Sequence, residues 1–195
     1  MENHVLKYLF IMSFFVCFLF LGCSKGSDKV YLHTTSKNAQ VVFGLQDLKE
    51  VLEENYIEIT DSEKGKSNII LQVDTLASLK KEGFSIKKQE NQIEVTGFDE
   101  AGLMYGTLEL AEQIKLYGLQ GVKSLTRNPY MEMRGPKFNI PLDVRTPSYS
   151  DVSDAAQKNI PVMWDFEFWK DYIDTMAHYR YNYISLWNLH PFPSL

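Results

Sequence analysis

Asp99-Glu-Ala-Gly-Leu-Met-Tyr-Gly106 sets two glycines four residues apart, with Met104, Leu108, Ala111 and Ile114 continuing at helical spacing. This predicts a helix from about Glu100 to Tyr117, with Gly118 as its C-cap. A glycine inside a helix costs roughly 1 kcal/mol against alanine. Two of them on one face therefore mean that another backbone packs close against this helix. Helix–sheet packing accounts for that without any chemistry.

Working outward, Phe84-Ser-Ile-Lys and Gln92-Ile-Glu-Val-Thr96 alternate sides and flank the polar Gln89-Glu-Asn91, the pattern of a hairpin. Upstream, Ser67-Asn-Ile-Ile-Leu-Gln-Val-Asp74 reads as a strand with an apolar centre, and Val30-Tyr-Leu-His-Thr34 as a short strand. Between them Gln40 to Asn55 is a helix, since Val41, Leu45, Leu48 and Leu52 share one face. Residues 29–128 thus form a small sheet with two helices packed on one face, leaving the other sheet face for a neighbour.

Composition shifts after that. From Tyr130 to the end, 13 of 66 residues are aromatic, including all three tryptophans. Arg134-Gly-Pro-Lys-Phe-Asn-Ile-Pro-Leu142 reads as a strand and Thr146 to Val162 as a long polar loop. Trp164 to Arg180 reads as a helix with Trp169, Tyr172, Ile173 and Met176 along one side, and Tyr183-Ile-Ser-Leu-Trp187 as a second strand. Strand, helix, strand is a βαβ unit with parallel strands. A complete eight-stranded α/β barrel takes roughly 250 residues. Residues 129–195 are therefore expected to be the first βαβ unit of an incomplete (β/α)8 barrel, in an α/β chain truncated after the second barrel strand.

The amino terminus carries a different signal. Lys7 precedes an apolar run from Tyr8 to Leu21, broken only by Ser13, and Leu21-Gly22-Cys23 closes it with a small residue before a cysteine. The ending resembles the lipobox of bacterial lipoproteins. That resemblance implies a signal peptide over residues 1–22, a lipid-bearing Cys23 and a polar tether over residues 23–28. The protein would be exported and membrane-anchored, facing the periplasm or the outer surface. The alternative is a plain transmembrane anchor, Leu6 to Gly22 being 17 residues, at the lower limit for a span. Cys17 would leave with the signal peptide, so the mature chain has one cysteine and no internal disulfide. Its net charge near −5 and the lack of a basic cluster argue against nucleic acid as a partner.

No catalytic constellation is complete. Gly-rich phosphate loops, nucleophile elbows and histidine pairs at metal spacing are all missing, so no metal or cofactor is implied. His33, His178 and His190 are scattered and read as surface or structural residues. Candidate sugar-binding residues come from position, because the C-terminal ends of barrel strands and the loops after them form the active-site mouth. These are Asp143 and Arg145 after the first strand, and Trp187, Asn188 and His190 at the end of the second. Arg, Asp and Asn offer fixed donor and acceptor arrays for hydroxyls or carboxylates, and tryptophan offers a flat face for sugar C–H groups. Asp143 and Arg145 would equally well form a local bridge.

Two stretches resemble glycoside hydrolases. Gly97-Phe-Asp-Glu-Ala-Gly102-Leu-Met-Tyr105-Gly106 is similar to a segment in the N-terminal α/β domain of family 20 β-hexosaminidases and family 67 α-glucuronidases. In those families that domain is a scaffold beside the catalytic barrel. Met133-Arg-Gly135 with Leu142-Asp-Val-Arg145 is similar to the first barrel strand of family 20, whose terminal arginine holds hydroxyls of the sugar being cleaved; this implies that role for Arg145. Tyr183-Ile-Ser-Leu-Trp-Asn188 looks like the second strand of the family 67 barrel. The resemblance implies the N-terminal part of an exported glycoside hydrolase acting on uronic-acid- or amino-sugar-bearing glycans. Its catalytic carboxylates would come from later strands, so this chain would be inactive by itself. The alternatives are a lipid-anchored glycan-binding or adhesion protein, and a barrel without its carboxylates.

Overall fold

A computed structural model describes residues 28–62, 67–139 and 161–187. Cys23, the residues expected to form a signal peptide (1–22) and most of those expected to form a tether (23–28) lie outside the described residues. The first unit runs β1 (Lys29–Thr34), α1 (Ala39–Glu54), β2 (Glu58–Thr60), β3 (Ser67–Val73), β4 (Phe84–Gln89), β5 (Gln92–Gly97), α2 (Glu100–Gly121) and β6 (Leu125–Arg127). Its six strands form one mixed sheet in the order β2-β1-β3-β5-β4-β6. β2, β1, β3 and β5 are parallel, while β4 runs antiparallel to both β5 and β6.

The register sets one apolar face. Leu32 pairs with Ile69 and Ile69 with Ile93, and the next row joins Leu71, Val95 and Ile86. Ile69, Leu71, Ile93, Val95 and Ile86 are buried in one cluster with Val41, Leu48 and Leu52 of α1 and Leu103, Leu110 and Ile114 of α2. Both helices therefore cover the same face, as expected. The opposite face presents His33, Gln72, Glu94 and Lys87, and Gln72 Nε2 donates to Glu94 Oε1 at 2.7 Å.

The helix starts follow local chemistry. Asn38 caps α1 by accepting from the Gln40 amide, and Asp99 caps α2 by accepting from the Gly102 amide at 2.8 Å. Gly102 and Gly106 are the close approaches that their spacing announced. A Cβ at Gly102 would collide with the Gly83 carbonyl oxygen, and one at Gly106 would sit 2.7 Å from Val95 Cγ1 and 3.1 Å from Phe84 Cβ.

Two features differ from expectation. Gly118, with φ +70, breaks α2 as a cap would, but another turn follows to Gly121. Lys88 Nζ donates to the carbonyls of Leu119 and Gln120 at 2.8 Å each, supplying donors that the helix end lacks. β2 and β6 were not expected. Each is three residues long and they form the two sheet edges, where a strand is too short to show an alternating pattern.

The second unit is β7 (Lys137–Asn139), α3 (Phe166–His178) and β8 (Ser185–Trp187). The strands pair in parallel, Lys137 with Ser185, Phe138 with Leu186 and Asn139 with Trp187, so this is the expected βαβ unit. The pairing begins earlier, since the amides of Asn182 and Tyr183 donate to Arg134 O and the Ser185 amide to Pro136 O. The expected stripe on α3 is only partly buried. Met176 is buried and packs toward the first unit, Trp169 and Tyr172 are half-buried in a ring cluster with Phe168, and Ile173 is 55% exposed.

Candidate functional site

Because β7 and β8 are parallel and in register, their C-terminal ends, Asn139 and Trp187, stand side by side. This edge is where an α/β barrel builds its mouth. Of the expected sugar-binding residues, Trp187 ends β8 at this edge. Asp143, Arg145, Asn188 and His190 belong to the segments that leave the same two strand ends, and they lie outside the described residues.

The opposite, N-terminal ends of β7 and β8 hold a network that sequence reasoning did not foresee. Arg134 Nη2 pairs with Glu82 Oε2 at 2.6 Å, with the two side chains only 15% and 14% exposed. The same guanidinium donates through Nη1 to Met131 O at 2.8 Å and through Nε to Arg180 O at 3.0 Å, and it lies 6.0 Å from the Tyr105 ring centroid. Asn182 completes the cluster. Its Nδ2 donates to both Glu82 oxygens at 2.9 Å and to Glu132 O at 2.7 Å, and its Oδ1 accepts from the Arg134 amide at 2.9 Å. Arg180 in turn pairs with Glu109 of α2.

Local backbone aims these groups. Glu82 and Arg180 both adopt the left-handed region, φ +61 and +59, uncommon for residues other than glycine. The Glu82 amide donates to Asp99 Oδ2 at 3.1 Å, so the carboxylate that caps α2 also holds this turn. At Gly135 a Cβ would run into the Tyr183 carbonyl oxygen, which explains glycine next to Arg134. Burial lifts the Tyr105 hydroxyl above the ordinary tyrosine range; the charge of Glu82 adds to this and Arg134 opposes it.

This end binds the two units together, and the carboxylates of its network, Glu82 and Glu109, are engaged in ion pairs. The Glu82 carboxylate is taken by Arg134 and Asn182, and that of Glu109 by Arg180. Conserving the N-terminal face of such strands serves stability, whereas chemistry belongs to the C-terminal face. His33 stacks on Tyr31, and His178 lies 3.7 Å from Asp47 and edge-on to Phe43 of α1, so both make structural contacts. Among the described residues no group of three or more His, Cys, Asp or Glu is placed to hold a metal ion. No helix of the described residues is long and apolar enough to cross a membrane.

Comparisons with known proteins agree with this architecture. A search of curated proteins gives no match. Among solved structures, a family 138 glycoside hydrolase targeting pectin rhamnogalacturonan II aligns over 86% of this chain and 25% of its own, at 27% identity and TM-score 0.67. A family 115 4-O-methyl-α-glucuronidase with specificity for decorated arabinogalactans aligns over 82% and 26%, at 18% identity and TM-score 0.51. A β-hexosaminidase of Streptomyces plicatus aligns over 83% and 30%, at 15% identity and TM-score 0.51. The last two show a shared fold, and the chain spans less than a third of the length of any of the three. The sequence model described as glycosyl hydrolase family 20, domain 2, matches residues 23–126, a segment that includes the Gly97–Gly106 motif and all of β1 to β6 but the last residue. With more than half of its residues in that match, the chain belongs to the glycosyl hydrolase family 20, domain 2 family.

Proposed function

We propose that this chain is the N-terminal part of an exported, lipid-anchored glycoside hydrolase that cleaves O-glycosidic bonds in uronic-acid- or amino-sugar-bearing glycans. The observation that carries the reading is the placement of the parallel βαβ unit. The family 20 domain grips the N-terminal ends of β7 and β8 through Arg134, Glu82 and Asn182, and their C-terminal ends point away from that grip. Such a scaffold leaves the strand ends that precede Asp143, Arg145, Asn188 and His190 for substrate. Arg145 would hold sugar hydroxyls or a carboxylate there, and the general acid and its partner carboxylate would come from later strands.

One solved relative, which targets a pectin, supports the sugar class. Export through a lipid on Cys23 fits an enzyme that meets polymeric glycan outside the cytoplasm. The test is release of reducing sugar from uronic-acid and amino-sugar oligosaccharides by the protein expressed from the whole reading frame, with the 195-residue chain alongside. Hydrolysis by the former alone is the expected result. No release from any of these glycans would overturn the proposal.

A further inference from the structure

We propose a second glycan-binding site, for a uronate-bearing oligosaccharide, in the cleft beside the Arg134–Glu82 junction. This rests on the glycan reading above and adds a place where sugar is held without being cleaved. The cleft encloses about 990 Å³ and is lined by Lys80, Lys81, Phe98, Tyr130, Met133 and Tyr183 around the junction residues. It lies at the N-terminal ends of β7 and β8, the end away from the expected mouth.

Its chemistry is that of a sugar acid site. Tyr130 is 98% exposed, and Met133 and Tyr183 also stand open to solvent. Binding sites combine apolar and aromatic walls with a few well-placed polar groups. The charges here are unbalanced within a chain of net charge −5. Arg134 cancels Glu82, and no ion pair among the described residues holds the ammonium of Lys80 or Lys81. That leaves two lysines against the one carboxylate of Glu132.

The lysine loop is also built in advance. The Lys80 amide donates to Asn128 Oδ1 at 2.7 Å, the Gly83 amide to Lys80 O at 2.8 Å and the Phe98 amide to Gly83 O at 3.0 Å, while the Glu82 amide is held by Asp99. A loop so pinned loses little further freedom when a ligand arrives.

The test is calorimetric titration of the full chain, in nonionic detergent, with linear trigalacturonate and with its fully methyl-esterified counterpart. The ester keeps the rings and removes the charge. Trigalacturonate should bind, and the ester should bind about tenfold more weakly. Lys80→Ala/Lys81→Ala should weaken the acid by a similar factor and leave the ester unchanged, and Tyr130→Ala should weaken both. All of these side chains are exposed, so melting temperatures should not move. Wild type that binds neither oligosaccharide, or variants that bind the acid as wild type does, would overturn the cleft. Hydrolysis by the whole reading-frame product is scored separately. Hydrolysis with variant-insensitive binding sinks only the cleft, and variant-sensitive binding without hydrolysis sinks only the glycosidase.

Discussion

Arg134 and Glu82, 52 residues apart in sequence, meet through a 2.6 Å ion pair that both belong to the seam between the six-stranded sheet unit and the βαβ unit. The pair is largely withdrawn from solvent and its spare valences are filled by Asn182, Arg180 and Met131. Removing one partner of such a pair strands the other charge, at a cost of about 3 kcal/mol.

Glu82→Ala should therefore lower stability by about 3 kcal/mol, and its effect should fall mainly on the seam. Hydrogen exchange at the Asn182, Tyr183 and Ser185 amides, which pair with Arg134 and Pro136, reads it directly. Those amides should exchange faster while amides of β3 and β5 stay protected. Uniform loss of protection throughout both units would argue against a local clamp.

Gly102→Ala should destabilise more than a helix-propensity gain offsets. Alanine favours helix by roughly 1 kcal/mol over glycine, but its Cβ would meet the Gly83 carbonyl, which is backbone and is pinned by the Phe98 amide. A net loss of about 1–3 kcal/mol is expected in chemical denaturation. An alanine variant as stable as wild type would show that this approach is looser than the geometry states.

A polypeptide of residues 29–128 should fold by itself. The buried core cluster runs from Val30 to Val122 without a contribution from the second unit, which adds only Ala177 at its margin. In contrast, eleven of the seventeen large apolar side chains that stand exposed among the described residues come from Tyr130 onward. Residues 129–195 alone should accordingly give no cooperative melt by circular dichroism. A sharp transition from that piece would refute the expectation.

Cys23→Ser should abolish lipid attachment and leave an unprocessed precursor, given Leu21-Gly22-Cys23 after the apolar run. Labelling cells with a clickable fatty acid measures it. Equal label on mutant and wild type would exclude Cys23 as the acceptor.

Arg145→Ala, in the protein from the whole reading frame, should depress kcat/KM far more than melting temperature. A charged hydrogen bond to a bound hydroxyl or carboxylate contributes roughly 1.5–3 kcal/mol, about ten- to a hundredfold in rate. A surface bridge to Asp143 would contribute under about 1 kcal/mol and leave kinetics nearly unchanged. An efficiency within about twofold of wild type would remove Arg145 from the substrate site.

What was legible in the sequence by itself follows from local periodicity. Val41, Leu48 and Leu52 recur at helical spacing and become the buried face of α1, and the alternation around Gln89-Glu-Asn91 becomes the β4–β5 hairpin. The glycines at 102 and 106 announced a close neighbour, though not which backbone it would be. Tertiary structure alone decided the rest. β2 and β6 are strands because a longer neighbour offers them an edge to pair with, since three residues carry no pattern of their own. Ile173 falls on the helical stripe of α3 yet stands in solvent, because periodicity marks a face and only packing determines what covers it. The seam was least legible of all. Lys80-Lys-Glu-Gly83 carries no motif, and Tyr179-Arg180 falls at the end of the helix that periodicity predicts over Trp164 to Arg180. Their left-handed residues, Glu82 and Arg180, become meaningful only when folding brings segments 50 to 100 positions apart within hydrogen-bond reach. Charge pairing at that separation leaves no mark on neighbouring residues.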